Sequence, residues 1–154
     1  MVNIGEKVAD FSVPATGDKS LSLSDFKDKN LVVYFYPKDN TPGCTKEACG
    51  FRDSHARIKR TGTVVLGASR DSLRSHDGFV AKHELNFPLL SDDKGKITEA
   101  YGVWKEKNMY GRKVMGVERS TFLIDGAGVL RAEWRKVRVP GHVAEVLEAV
   151  RGLD

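Results

Sequence analysis

The sequence predicts a single mixed α/β domain: a central mixed β-sheet flanked by helices, with an N-terminal β-hairpin. Three observations predict it. The chain has 154 residues, 40% hydrophobic and 30% charged, which suits one globular domain with its own core. Two apolar runs, residues 31–36 and 63–69, are continuous rather than alternating, as in strands buried on both faces. A helical pattern follows each run, which implies parallel neighbours joined by crossovers, and a late β-hairpin adds antiparallel pairing.

The elements follow in order. Residues 11–13 and 21–23 alternate apolar and polar around a turn at 14–18, a hairpin signal, and Ser24 can cap a short turn through Phe26. The strand at 31–36 ends at Pro37. After the loop 38–40, Thr41 is a favoured N-cap type, and Pro42 fits the first helical position because its missing N–H would be unpaired anyway. That helix runs through Phe51 and Ile58 and should stop near Gly62. After the strand at 63–69, Asp71 or Ser72 caps a helix carrying Leu73, Phe79, Val80 and Leu85. A short apolar segment at 87–90 and a short helix at 97–101 follow. Residues 103–118 lose periodicity among charges and glycines, so a long loop is expected, with Trp104, Met109 and Met115 serving loop and core packing. Residues 120–124 form a strand that turns at 125–128 into an antiparallel partner at 129–134. Val143, Val146, Leu147 and Val150 close the chain at helical spacing.

Several function classes drop out. The longest apolar run is six residues, far short of the ~20 that a spanning helix needs, so no membrane role is expected. No basic-then-apolar segment opens the chain, which predicts a reducing, cytoplasmic setting. Net charge is +4, and residues 101–140 hold nine basic against four acidic side chains. Without a helix-turn-helix, a zinc knuckle or interleaved aromatics, this reads as a solvated face rather than a nucleic-acid surface.

Cys44 and Cys49 are the only two cysteines, too few for a disulfide scaffold in a chain of this length. The four histidines are scattered and there is no second cysteine pair, so a closed zinc site is not expected. Two inert thiols or a redox pair remain. Cys44 is the third residue of the helix that follows a buried strand. Open α/β sheets bind ligands at the carboxyl ends of their strands, and a helix N-terminus offers free N–H groups and partial positive charge. Both favour thiolate, the nucleophilic form. The Thr41 hydroxyl should lie near the Cys44 sulfur and amide, placed to hydrogen-bond one of them. Five helical steps rotate about 500° and rise about 7.5 Å, placing the two Cα atoms about 8.7 Å apart. A bridge tolerates only about 7 Å without backbone movement, so a disulfide between them requires the first helical turns to unwind. Gly43 and Gly50 lower the cost of that melting. No Cys-x-x-Cys motif is present, which disfavours a thioredoxin-style dithiol exchanger.

The run Phe35-Tyr36-Pro37-Lys38-Asp39-Asn40-Thr41-Pro42-Gly43-Cys44-Thr45-Lys46-Glu47-Ala48-Cys49 resembles the active-site segment of peroxiredoxins, most closely the bacterioferritin-comigratory-protein or peroxiredoxin Q branch. The family pattern Pro-x-x-x-Thr-x-x-Cys falls on Pro37, Thr41 and Cys44. The likeness continues at Asn86-Phe87-Pro88-Leu89-Leu90-Ser91-Asp92, at Tyr101-Gly102-Val103-Trp104, at Glu118-Arg119-Ser120-Thr121-Phe122 and at Trp134-Arg135-Lys136-Val137. It implies a thioredoxin-like fold over residues 1–154 and a thiol peroxidase acting on hydrogen peroxide and organic hydroperoxides. The implied machinery is Cys44 as peroxidatic nucleophile, Cys49 as resolving thiol, Thr41 and Arg119 as polar partners, and Pro37 as a shield that donates no hydrogen bond. Gly43 would join Thr41, Cys44 and Arg119 in binding the peroxide. Arg119 is always cationic and has five donors, so it can favour the thiolate and hold the peroxide oxygens. Glu47, three residues after Cys44 on the same face, would oppose the thiolate unless paired, which leaves two readings, a partner for an arginine or a simply exposed carboxylate. The resemblance implies no metal, haem or flavin, thioredoxin or glutaredoxin as reductant, and a monomer. A protein dithiol–disulfide oxidoreductase or a holdase chaperone is the alternative.

Overall fold

The structure is a computed structural model that describes residues 2–153. Its centre is a seven-stranded sheet. The strands are β1 (Ser12–Ala15), β2 (Lys19–Ser22), β3 (Asn30–Phe35), β4 (Thr63–Ser69), β5 (Leu89–Ser91), β8 (Ser120–Ile124) and β9 (Leu130–Trp134), in the order β2-β1-β5-β4-β3-β8-β9. The middle three, β5, β4 and β3, are parallel, while β1–β2 on one side and β8–β9 on the other run antiparallel. The helices are α1 (Pro42–Lys59), α2 (Leu73–His83), α3 (Lys96–Ala100) and α4 (His142–Arg151).

The continuous apolar run of β3 splits by the two-residue strand period onto both faces of the sheet. Val32, Tyr34 and Tyr36 pack with Cys44, Ala48 and Phe51 of α1, Phe79 of α2, and Val146 and Val150 of α4. Leu31, Val33 and Phe35 pack on the other side with Ile97 and Tyr101 around α3 and with Phe122. The Tyr34 and Phe51 rings stack with centroids 4.6 Å apart, fixing α1 over the strand that precedes it. No helix among the described residues is long and apolar enough to cross a membrane.

Four expectations need correction. Residues 103–118 are not a loop but an antiparallel hairpin, β6 (Trp104–Met109) and β7 (Arg112–Val117), separate from the main sheet. Its two-residue turn, Tyr110-Gly111, has φ of 53° and 79°, the positive values that hairpin turns need. Most of its side chains face solvent, so the strands carry no apolar alternation for a sequence reading to detect. For the same reason Met109 and Met115 are half-exposed rather than core, and only Trp104 is partly covered, with the Arg70 guanidinium 3.4 Å from its ring centroid. Near the N-terminus, Pro14 belongs to β1, opposite Ser20, so the turn is narrower than expected. The 3-10 turn at Leu23–Phe26 is entered from Ser22, whose N–H donates to Asp25, rather than from Ser24.

Candidate active site

Cys44 is the third residue of α1, at the end of the sheet where β3 gives way to the loop 36–41. Thr41 takes the extended N-cap conformation (φ −82°, ψ 152°), and its carbonyl accepts the first intrahelical bond from Thr45 N–H at 2.9 Å. Pro42 has no N–H, so the amides of Gly43 and Cys44 are the helix donors left without an intrahelical acceptor. The Thr41 hydroxyl does not cap them, contrary to expectation. It donates to Lys38 O at 2.9 Å. Asn40 at φ +65° turns the chain back on itself, which brings the Lys38 carbonyl within its reach. The Thr41 oxygen keeps its lone pairs free to accept a hydrogen bond.

Arg119 arrives from a distant part of the sequence. Antiparallel pairing of Phe35 with Ser120 sets the residue before β8 level with the exit of β3. Its Nη2 donates to Cys44 Sγ at 3.3 Å and its Nη1 to Glu47 Oε1 at 2.6 Å, so one guanidinium bridges the thiol and the carboxylate. Gly43 makes room for it. A Cβ there would sit 3.1 Å from Arg119 Nη2. Burial works against the Arg119 charge, yet Glu47 and Cys44 beside it hold its pKa above the ordinary value. Cys44 is 1% exposed, and Cys49 lies half-buried further along α1; both are free thiols. Pro37 is half-buried at the strand exit.

Surface cavities of about 530 and 500 Å³ lie along the N-terminal segment and contain neither Cys44 nor Arg119. A thiol in contact with a guanidinium, at a helix start with free amides, suits a small polar substrate.

The AhpC/TSA family profile matches residues 4–133. The chain belongs to the AhpC/TSA family. A putative peroxiredoxin Bcp of Coxiella burnetii is 51% identical over 146 residues, 95% of this chain and 97% of that protein. Peroxiredoxin Bcp of Bacillus subtilis is 49% identical over 153 residues, 99% of this chain and 98% of its own. Among solved structures, a cysteine-to-serine mutant of Xylella fastidiosa peroxiredoxin Q matches with TM-score 0.94 at 42% identity, covering 98% and 96% of the two chains. The bacterioferritin comigratory protein of Xanthomonas campestris, described for its alkyl peroxide reduction activity, matches with TM-score 0.88 at 44% identity, covering 92% of this chain and 90% of that one. With these relatives, the chain is a peroxiredoxin of the Bcp/peroxiredoxin Q branch, a thiol peroxidase with two cysteines, and its fold is the thioredoxin-like fold of the peroxiredoxins.

Two neighbours of this peroxiredoxin site escaped the sequence reading. Lys107 of β6 bonds Val117 O at 2.5 Å, and burial together with the Arg119 charge lowers its pKa. It sits in the hairpin taken for a loop, where a lysine has no distinguishing pattern. His142 is buried and hydrogen-bonded through Nε2 to Thr121 Oγ1 at 2.7 Å; burial first, then Arg119, pushes its pKa down to about 4, so its ring is neutral near pH 7. Its signal in the sequence is only a histidine at the start of the last helix.

Glu47 is fully buried, and its Oε2 has no hydrogen-bond partner among the described residues. Burial raises its pKa from the usual 4.5 to about 7 although Arg119 pulls the other way. Above pH 7 the folded state must therefore ionise a group that it prefers to keep protonated. The raised pKa contributes stability that is whole below about pH 4.5 and lost as pH rises through about 7. Glu47→Gln keeps a carbonyl for Arg119 but cannot ionise. Thermal unfolding of the reduced protein should find this variant gaining on wild type between pH 5 and 8, by on the order of 2–3 kcal/mol. A difference that stays constant across that range refutes the assignment.

Proposed function

We propose that this peroxiredoxin reduces hydrogen peroxide and organic hydroperoxides through a Cys44 sulfenic acid and a Cys44–Cys49 disulfide, which thioredoxin then reduces. The observation that supports this best is the single guanidinium of Arg119 donating to both Cys44 Sγ and Glu47. The Cys44 thiolate attacks one peroxide oxygen, an S–O bond forms, and the O–O bond breaks. The other oxygen leaves with developing negative charge and takes up a proton, giving water or an alcohol. Arg119 and the free amides at the start of α1 are donors aimed where that charge appears. The Thr41 oxygen, its hydrogen committed to Lys38, accepts the peroxide O–H and orients it. Pro37 covers the sulfur without competing for it.

The first turns of α1 then unwind, the Cys49 thiol attacks the sulfenic sulfur, and water leaves as the disulfide forms. A dithiol reduces it by exchange. Both cysteines lie on α1, so one chain suffices and a monomer is expected in a reducing cytoplasm. The alkyl peroxide activity described for the Xanthomonas campestris relative supports organic peroxides as substrates.

The test follows NADPH oxidation with thioredoxin and thioredoxin reductase over several peroxides, beside insulin reduction. Oxidation of NADPH that depends on peroxide, on thioredoxin and on this protein is the expected result. Insulin reduction with no peroxide-dependent signal would overturn the proposal in favour of a dithiol oxidoreductase.

A further inference from the structure

Behind the active-site loop lies a buried polar cluster that the cycle above does not use. Asp39, two residues before Thr41, is 5% exposed. Its Oδ1 accepts from Tyr36 OH at 2.6 Å, and its Oδ2 accepts from Ser75 Oγ at 2.8 Å and meets His76 Nδ1 at 2.7 Å. The other ring nitrogen of His76 lies 2.9 Å from Leu90 O. Burial opposes charge on Asp39, but hydrogen bonds from His76 and Tyr36 hold its pKa below the ordinary value, so it is a carboxylate. Both ring nitrogens of His76 are thus spent on buried oxygen partners, one on the Asp39 carboxylate and one on the Leu90 carbonyl. The main chain is pinned as well. Asp39 N–H donates to Asp71 Oδ2 at 2.9 Å, and Ser69 Oγ holds that oxygen at 2.6 Å. Carboxylate oxygens of Asp39 and Asp71 and a ring nitrogen of His76 lie within 4.8 Å of one another, as in a metal site. Each of these residues already has hydrogen-bond partners, which makes the cluster a closed hydrogen-bonded network.

Asp39 is thus tied to α2, to the end of β4 and to β5. The next residue, Asn40, is the one at positive φ. At the far end, Phe51 is fully buried and stacked on Tyr34. Between the two anchors lie residues 40–50, holding both cysteines, Gly43 and Gly50.

We propose that the Asp39–His76 pair is a positioning latch that sets the hinge for unwinding α1 at Asn40 and confines the opening to residues 40–50. The hinge is a property of the reduced chain. Its consequence for oxidation rests on the peroxidase reading. With both ends held, the open segment has little chain entropy to gain, so α1 stays closed long enough to take peroxide and recloses after reduction. A latch that holds α1 closed also leaves the sulfenic acid facing peroxide for longer. A second peroxide can then react: another S–O bond forms, its O–O bond breaks, water or alcohol leaves, and Cys44 becomes a sulfinic acid. The latch therefore sets the partition between disulfide and over-oxidation.

Hydrogen–deuterium exchange of the reduced protein tests the hinge without peroxide. Ser75→Ala removes one neutral hydrogen bond to Asp39 and should speed exchange in residues 42–50 about fivefold. Asp39→Asn, which removes the charge, should exceed that, with β3, β4 and β8 unchanged. After a hydrogen peroxide challenge, both variants should show less Cys44 sulfinic acid relative to disulfide by mass spectrometry. Should Asp39→Asn fail to fold, Ser75→Ala decides alone. Unchanged exchange at 42–50, or acceleration shared by the whole chain, overturns the latch. Wild-type protein that consumes no peroxide overturns the peroxidase reading and the over-oxidation consequence with it, while the exchange result still judges the hinge.

Discussion

Cys44→Ser is expected to abolish peroxide consumption while leaving the fold intact. The two side chains differ by one atom at a position 1% exposed, among Ala48, Phe51 and Tyr36, so packing changes little. The chemistry changes much more. A serine hydroxyl stays protonated near neutral pH, and no general base stands beside it. Arg119 Nη2 donates and cannot take a proton, and Glu47 lies on the far side of that guanidinium. An oxygen nucleophile also gains nothing from attacking a peroxide oxygen, because the product would be another peroxide. Deleting an enzyme's nucleophile costs on the order of 10⁶-fold in rate, so consumption should fall to the uncatalysed background. Circular dichroism and thermal unfolding should stay near wild type. Residual turnover within tenfold of wild type would mean that Cys44 is not the residue oxidised.

The position of Cys44 was legible because its determinants are local. A continuous apolar strand, a threonine of N-cap type and a proline at the first helical position fix where α1 begins, and the cysteine follows by counting. Arg119 was legible only through family resemblance. Nothing local shows that Ser120 pairs with Phe35 across the sheet, and that register is what delivers the guanidinium to the thiol. The Thr41 hydroxyl was misjudged because a cap residue was read without its loop; the positive φ of Asn40 offers a nearer acceptor in Lys38 O. The Asp39–His76 network was invisible for a similar reason. Its members come from the loop after β3, from α2 and from β5, and only the parallel crossover brings them together. The β6–β7 hairpin failed differently: with most of its side chains in water, it has no buried face to impose a period on the sequence.

Cys49→Ser should separate the two halves of the cycle. In the proposed cycle the first oxidation involves Cys44, Arg119 and the free amides of α1, and Cys49 lies five residues further along the helix, half-buried. One equivalent of peroxide should therefore be consumed at close to the wild-type rate. Thioredoxin-linked NADPH oxidation should then fall to background, because thioredoxin exchanges with disulfides and this variant cannot form one within its own chain. Mass spectrometry should find Cys44 first as sulfenic acid and then, under excess peroxide, as sulfinic acid. The size of the loss follows from geometry. On an intact helix the two Cα atoms are about 8.7 Å apart, beyond bridging distance, so the proposed disulfide requires α1 to open in every turnover. That opening breaks the contact of Gly50 with α4, where a Cβ would lie 3.0 Å from Val143, and exposes Ala48 from the core. A helix start that must melt in each cycle only to leave the oxidised thiol exposed would be a liability unless a partner thiol waits in the melted segment. Cys49 is the one other thiol in the chain. Unchanged steady-state turnover in Cys49→Ser would falsify its resolving role and assign the second thiol to the reductant itself.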